Sequence, residues 1–309
     1  MKLSKRLMGV WSAAPTPFDE NFHIDCDAIS KMVEHHIKIG VNGLFLLGTN
    51  GEGPSLDERQ KTKMVKLVVK YNKNRMLIAV QITDNSAYQM IENAKRFSDE
   101  GADILILSAP YFFPRPDEKR LLSFYERVLK SIQMPFGFYD RGKYAPVVIP
   151  ATILRKLYVD RRMIIIKDSS SDEKKMQMAL RARKKNKKLK LFNGNEFDCV
   201  KYLIAGYDGL LLGGGIFNGY IANQIVDAVK QGDILRAEKL QNLMNKIMYS
   251  VYGGKKIKCW LAGEKYLLVK MGIFKTWNNL YEYQLTPSCK KKIDRVFTRY
   301  KKLFLPYKN

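Results

Sequence analysis

Residues 163–170 read Met-Ile-Ile-Ile-Lys-Asp-Ser-Ser, four apolar residues in a row closed by a lysine and three more polar residues. A run that is apolar at every position suits a parallel strand buried on both faces, whereas a half-exposed strand alternates. The pattern recurs at 8–14, 43–47, 76–82, 104–107, 135–139, 189–192 and 209–212. Between the runs the apolar residues switch to helical spacing. Ile29, Met32, Val33, His36 and Ile37 form one stripe, stopped by Gly40. Ala87, Met90, Ile91, Ala94 and Phe97 form a second, and Ile221, Ala222, Ile225, Val226 and Val229 a third. Ser55 and Glu58 stand at capping-box spacing, which predicts a helix start there.

Eight such β/α units, without a residue-level repeat, predict an α/β chain folded as a closed (β/α)8 TIM barrel rather than an open doubly wound sheet. After about residue 232 the strand-like runs stop. Residues 233–250, 256–271 and 287–303 read as three helices, joined by Gly253-Gly254 and a turn at Trp277-Asn278-Asn279. The chain therefore divides into a catalytic barrel, 1–232, and a C-terminal helical extension, 233–309, suited to packing or oligomer contacts.

A chain of 309 residues with 46% hydrophobic and 27% charged residues buries a large core without disulfides or metal. Its four cysteines, Cys26, Cys199, Cys259 and Cys289, contain no CxxC pair, which argues against a zinc knuckle, a thioredoxin-like motif or a disulfide scaffold. No apolar stretch approaches the roughly 20 residues needed to span a bilayer. Residues 1–15 (MKLSKRLMGVWSAAP) have basic residues and a short apolar run like a weak signal peptide. The run continues into Thr16-Pro17-Phe18 without a polar break, so the expectation is a cytoplasmic protein.

Lys and Arg number 54 against 30 Asp and Glu, a net charge of +24. The densest basic run, 181–190 (RARKKNKKLK), falls between a predicted helix and the next strand, where cations suit the helix C-terminus. It has no interleaved aromatics and no nucleic-acid motif. The expected partners are small anionic molecules and further copies of the chain as a dimer or tetramer, with neither nucleic acid nor membrane.

In a barrel of this kind the active site lies at the C-terminal ends of the strands. Those ends are Thr16-Pro17-Phe18, Gly48-Thr49-Asn50-Gly51-Glu52, Gln81-Ile82-Thr83, Ala109-Pro110-Tyr111-Phe112, Tyr139-Asp140-Arg141, Lys167-Asp168-Ser169-Ser170, Asn193-Gly194-Asn195-Glu196 and Gly213-Gly214-Gly215. Lys167 stands out. A lysine on an apolar barrel strand loses hydration, which lowers its pKa and frees the amine for imine formation. The competing reading is a lysine that reaches the rim or pairs with Asp168. Tyr139 ends the preceding strand and is either a proton shuttle for the same cavity or an ordinary strand tyrosine.

Thr16-Pro17-Phe18, the 48–52 loop, Tyr139 and Lys167, which follows it by 28 residues, together resemble the dihydrodipicolinate synthase / N-acetylneuraminate lyase family. The segments 191–196 and 206–215 are similar to its next two strand ends, so the resemblance runs through nearly the whole chain. It implies a class I pyruvate-dependent lyase or aldolase without cofactor or metal. Lys167 would form the imine with a 2-oxo acid. Tyr139 would shuttle protons, fed by Thr49, and the turn of Gly48, Thr49, Asn50 and Gly51 would bind the substrate carboxylate.

The chain also departs from the family pattern. The synthase's Thr-Thr pair is Thr49-Asn50 here. Its relay tyrosine from a neighbouring subunit falls at Phe112, with Tyr111 next door. After Tyr139 there is no Asn-x-Pro, and the carboxylate-binding arginine is sought at Arg141, with Lys143 as its competitor. Asn195 and Glu196 stand where they would contact substrate hydroxyls or cap a helix, and Gly213 and Gly214 line the same substrate side. His23, His35 and His36 are too clustered for a metal site, and His36 fits the packed stripe of its helix. Three functions follow: a Schiff-base lyase or synthase with an unassigned second substrate, a sugar-acid dehydratase on the same imine, and a barrel that binds without turnover.

Overall fold

Eight strands pair in chain order, all parallel, and β8 closes on β1. In the computed structural model, which describes residues 7–308, they are β1 (Gly9–Ala13), β2 (Gly43–Leu46), β3 (Leu77–Gln81), β4 (Ile104–Ser108), β5 (Phe136–Asp140), β6 (Met163–Asp168), β7 (Lys190–Asn193) and β8 (Gly209–Leu212). Residues 1–6, the basic start of the leader-like stretch, lie outside the described residues, as does residue 309. The expected TIM barrel is what the chain forms. Closure leaves no strand edge unpaired, which removes the template for intermolecular pairing.

The helices after successive strands are α1 (Cys26–Lys38), α2 (Glu58–Asn72), α3 (Ala87–Asp99), α4 (Glu118–Ser131), α5 (Ala151–Tyr158), α6 (Glu173–Lys185), α7 (Cys199–Ile204) and α8 (Gly215–Lys230). Inward residues including Trp11, Phe45, Ile104, Phe192 and Leu211 fill the barrel interior. Gly43 makes room for the Trp11 indole, since a Cβ there would stand 2.5 Å from its ring carbons. Outward residues pack on the helices in a second, larger cluster. That cluster takes in Met244, Ile247, Ile293 and Phe304, so the core continues into α9 (Ile234–Val251), α10 (Trp260–Lys270) and α11 (Pro287–Phe304).

Two local expectations are corrected. The capping box at the start of α2 is made by Asp57 and Gln60; Ser55 ends a 3-10 turn, Gly53–Ser55, instead. The expected helix 256–271 begins at Trp260, because Gly253, Gly254 and Ile257 all have positive φ and the chain turns before it can wind. The strands run into the polar ends read for them, through Ser108, Asp140, Asp168 and Asn193. Neighbouring parallel strands keep pairing there, as in Asp140 with Asp168 and Asp168 with Asn193.

His36 is wholly buried, with its ring nitrogens on Met32 O and Ser12 Oγ, and burial pushes its pKa down to about 3. Its place on the packed face of α1 is the one expected for it. In the basic run, Arg183 and Lys190 both hold Asp208, at 3.0 Å each. Among the described residues no helix is long and apolar enough to cross a membrane.

Candidate active site

Parallel pairing of β5 with β6 sets Tyr139 beside Lys167 and Asp140 beside Asp168. Side chains alternate along a strand, so each pair shares a face. Tyr139 and Lys167 point into the barrel. Asp140 and Asp168 face the helices: Asp140 takes the Lys175 ammonium at 2.7 and 2.8 Å, and Asp168 accepts from Tyr207 Oη at 2.7 Å and Ser170 Oγ at 2.6 Å. Lys167 therefore does not pair with Asp168, and at 6% exposure it does not reach the rim.

The Lys167 ammonium lies 4.4 Å from the centroid of the Tyr139 ring and 5.0 Å from that of Phe45. Burial pushes its pKa below the usual lysine value and the Arg141 charge adds to this; Tyr139 and Glu196 offset part of it. Burial alone would raise the Tyr139 phenol. The charges of Lys167 and Arg141, with the Thr49 and Ser169 hydroxyls, outweigh burial and hold it below the usual phenol value. Ser169 Oγ is itself buried outside hydrogen-bonding geometry with any neighbour, although it faces the phenol. A buried lysine and a phenol whose proton is loosened by the lysine's charge thus sit side by side.

Gly194, which follows β7, bounds this pair. A Cβ there would stand 2.9 Å from Lys167 Cε and would collide with Ser169 Oγ. Gly194→Ala is expected to displace the lysine and slow covalent trapping about 100-fold. The overpacking itself costs about 1–3 kcal/mol of stability. Trapping rates beside a thermal melt check this, and an unchanged trapping rate would show that the lysine has room to spare.

The loop after β2 supplies the opposite wall. It is locked from several sides: Thr16 Oγ1 donates to Gly51 O at 2.6 Å, and a Cβ on Gly51 would stand 2.9 Å from Ala14 O. Gly48 lies against Phe45, where a Cβ would stand 2.6 Å from the ring. Thr49 is half-buried and faces the Tyr139 phenol. The Asn50 amide instead donates to Ala13 O, Gly213 O and Glu264 Oε1, so its donors brace the barrel end rather than face the cavity. Glu52, fully buried, holds Lys265 of α10 and the Leu280 N–H.

Glu196 accepts from Gly214 N at 2.7 Å and Tyr252 Oη at 2.8 Å. Gly214 is the N-cap position of α8, so this carboxyl serves the helix start that follows the neighbouring strand β8, and burial raises its pKa. Gly213 lies beside it, 3.5 Å from Glu196 Oε1 at the position of a Cβ. Asn195 is half-buried, with its backbone N–H on Asn193 Oδ1 at 2.7 Å. Arg141 is half-buried and its charge acts on Tyr139, Lys167, Tyr111 and Tyr281. Lys143 is exposed and lies over Tyr144 at 5.4 Å. Of the two candidates, Arg141 belongs to the pocket.

The sequence reading did not single out Gly194, Ser169, Tyr252, Glu264, Lys265 or Tyr281. Ser169 was reachable, since it lies two residues past Lys167 on the same strand face. The last four come from the C-terminal extension and carry no spacing signal to the barrel. Among the described residues no group of three or more His, Cys, Asp or Glu is arranged to hold a metal ion.

Residues 6–274 match the model of the dihydrodipicolinate synthetase family. The chain belongs to this family. The chain is similar to a 4-hydroxy-tetrahydrodipicolinate synthase of Kosmotoga olearia, 26% identical over 79% of this chain and 83% of that protein. Another, from Chlorobium chlorochromatii, is 24% identical over 94% of this chain and 97% of that one. Among solved structures, the dihydrodipicolinate synthase of Bacteroides thetaiotaomicron superposes with a TM-score of 0.86 at 25% identity, covering 95% and 98% of the two chains. CdNal from Clostridium difficile, solved with mannosamine, superposes at 0.85 with 20% identity, over 95% and 99%. Membership makes the protein an enzyme of the family's lyase or synthase type.

Proposed function

We propose that the protein is a class I Schiff-base lyase or synthase acting on pyruvate or a related 2-oxo acid. The observation that carries this reading is the buried Lys167 ammonium 4.4 Å from the Tyr139 ring centroid, inside the barrel mouth. Neutral Lys167 attacks the ketone carbon of the 2-oxo acid. Tyr139 relays one amine proton to the oxygen and gives it a second of its own, so water leaves and the protonated imine remains beside the phenolate. That imine withdraws electrons from the neighbouring carbon, so a C–C bond to it forms or breaks. Thr49 supports the phenol. The backbone of the 48–51 turn and the Arg141 cation suit the anionic groups of the substrates.

The second substrate is an aldehyde-bearing compound that this geometry leaves open. Phe112 is 67% exposed and brings no hydroxyl, so a proton relay from that position is not part of the reading. Small-molecule substrates and assembly into a dimer or tetramer complete the proposal.

Incubation with pyruvate and borohydride is the direct test. One stable adduct of reduced pyruvate on Lys167 supports the reading, and no adduct on any lysine defeats it. Tyr139→Phe is expected to behave differently from loss of the lysine. The phenol moves protons without making the covalent bond, so turnover falls by about 10²- to 10⁴-fold while an adduct still accumulates. Loss of trapping at saturating pyruvate and long incubation would give Tyr139 a role beyond proton transfer.

A further inference from the structure

Two buried acceptors in the barrel end have no partner, and they belong to the two sides of one hydrogen bond. Asn50, 3% exposed, donates through Nδ2 to Glu264 Oε1 at 3.1 Å, and the same nitrogen lies 2.9 Å from Ala13 O and 3.1 Å from Gly213 O. The remaining oxygens of the pair, Asn50 Oδ1 and Glu264 Oε2, are both buried without a donor. Glu264 is wholly buried on α10. The cation next to it, Lys265, is engaged by Glu52 and by Asn278 O at 2.7 Å. An ionised Glu264 would be a buried charge lacking a cation of its own, and two orphaned acceptors would remain beside it.

One proton removes both difficulties. A neutral carboxylic acid has a carbonyl oxygen that accepts and a hydroxyl that donates, and a primary amide has the complementary pair. With the proton on Oε2, Glu264 donates to Asn50 Oδ1 while Oε1 continues to accept from Nδ2. We propose that Glu264 is a proton-carrying positioning residue, paired as acid to amide with Asn50, which fixes the 48–51 turn from the C-terminal extension. Burial and the nearby Glu196 and Glu52 carboxyls favour the protonated acid, outweighing Asn50 and Lys265, so its pKa stands well above the usual carboxyl range. The groups that face it are Glu52 from the loop after β2, Glu196 from the end of β7, Lys265 from α10 itself and the Tyr252 phenol from the end of α9. The consequence for substrate binding rests on the Schiff-base reading, in which that turn holds the 2-oxo acid carboxylate.

Glu264→Gln and Glu264→Ala separate the roles. Glutamine keeps both an acceptor and a donor toward Asn50, so the pyruvate KM should stay within about twofold of the wild type, whereas alanine, which strands a buried amide, should raise it about tenfold with a smaller fall in kcat. Infrared spectroscopy of the wild-type protein near neutral pH should show the carbonyl band of a protonated carboxyl, lost in Glu264→Gln. Absence of that band overturns the proposal, and so does a glutamine variant as impaired as the alanine one. If the wild type forms no adduct with pyruvate, the Schiff-base reading fails, and the infrared band alone decides Glu264. The band and the glutamine variant also decide it if Glu264→Ala does not fold.

Discussion

Lys167→Ala is expected to abolish both adduct formation with pyruvate and turnover. Removal of a covalent nucleophile elsewhere lowers kcat by about 10⁶-fold, and a loss of that order is expected here. Among the described residues, three further lysines on or near the barrel are engaged elsewhere. Lys175 is bound to Asp140 on the outer face of the sheet, Lys265 is locked to Glu52, and Lys190 starts β7 at the opposite end of the barrel, where it holds Asp208. Only the neutral amine has a lone pair to donate, so trapping should decline as the pH falls through the pKa of Lys167. Burial places that decline below the free-lysine value of 10.5. Peptide mapping of the reduced adduct is the check. An adduct on another lysine, or turnover retained in Lys167→Ala, would mean that the chemistry lies elsewhere.

Lys265→Met should have the largest effect on stability. Lys265 and Glu52 are both fully buried, and the lysine also lies 4.4 Å from the Phe18 ring centroid. Methionine fills the space but leaves Glu52 without its cation, along with an unpaired carbonyl at Asn278. Breaking a buried pair from one side costs about 3–5 kcal/mol. At about 2.1 cal/mol/K of unfolding entropy per residue, each kcal/mol lowers the melting temperature of a chain of this size by about 1.5 °C, so a fall of about 5–8 °C is expected. The double variant Lys265→Met with Glu52→Gln should recover part of the loss, because no buried charge then remains unpaired. Denaturant unfolding measures both. A single variant within about 1 kcal/mol of the wild type would show that Glu52 accommodates the change by taking up a proton.

The C-terminal extension shows where sequence reading stops. Its three helices follow from apolar spacing, and the structure has helices at nearly those positions. That Glu264, Lys265 and Tyr252 come down on Asn50, Glu52 and Glu196 depends on contacts between residues about 56 to 214 positions apart, such as Tyr252 with Glu196 and Asn50 with Glu264. No local pattern encodes such a pairing. Asn50 illustrates the consequence. Its place in the loop after β2 made its side chain a candidate carboxylate donor, yet its amide is engaged by Ala13, Gly213 and Glu264.

The (β/α)8 order, the places where strands end and the position of Tyr139 and Lys167 at neighbouring strand ends were legible from the chain itself. They depend on local periodicity: unbroken apolar runs for doubly buried strands, helical stripes between them, and alternation along each strand. The position of Gly194 against the lysine, the nearness of the Arg141 charge to Tyr139 and Lys167 and the depressed pKa values of that lysine and phenol were decided only when the barrel closed. Closure brings strands from distant parts of the chain to one ring of ends and excludes water from what they enclose. Burial and the charge of a neighbour, which set those pKa values, are properties of that enclosed space and have no counterpart along the chain.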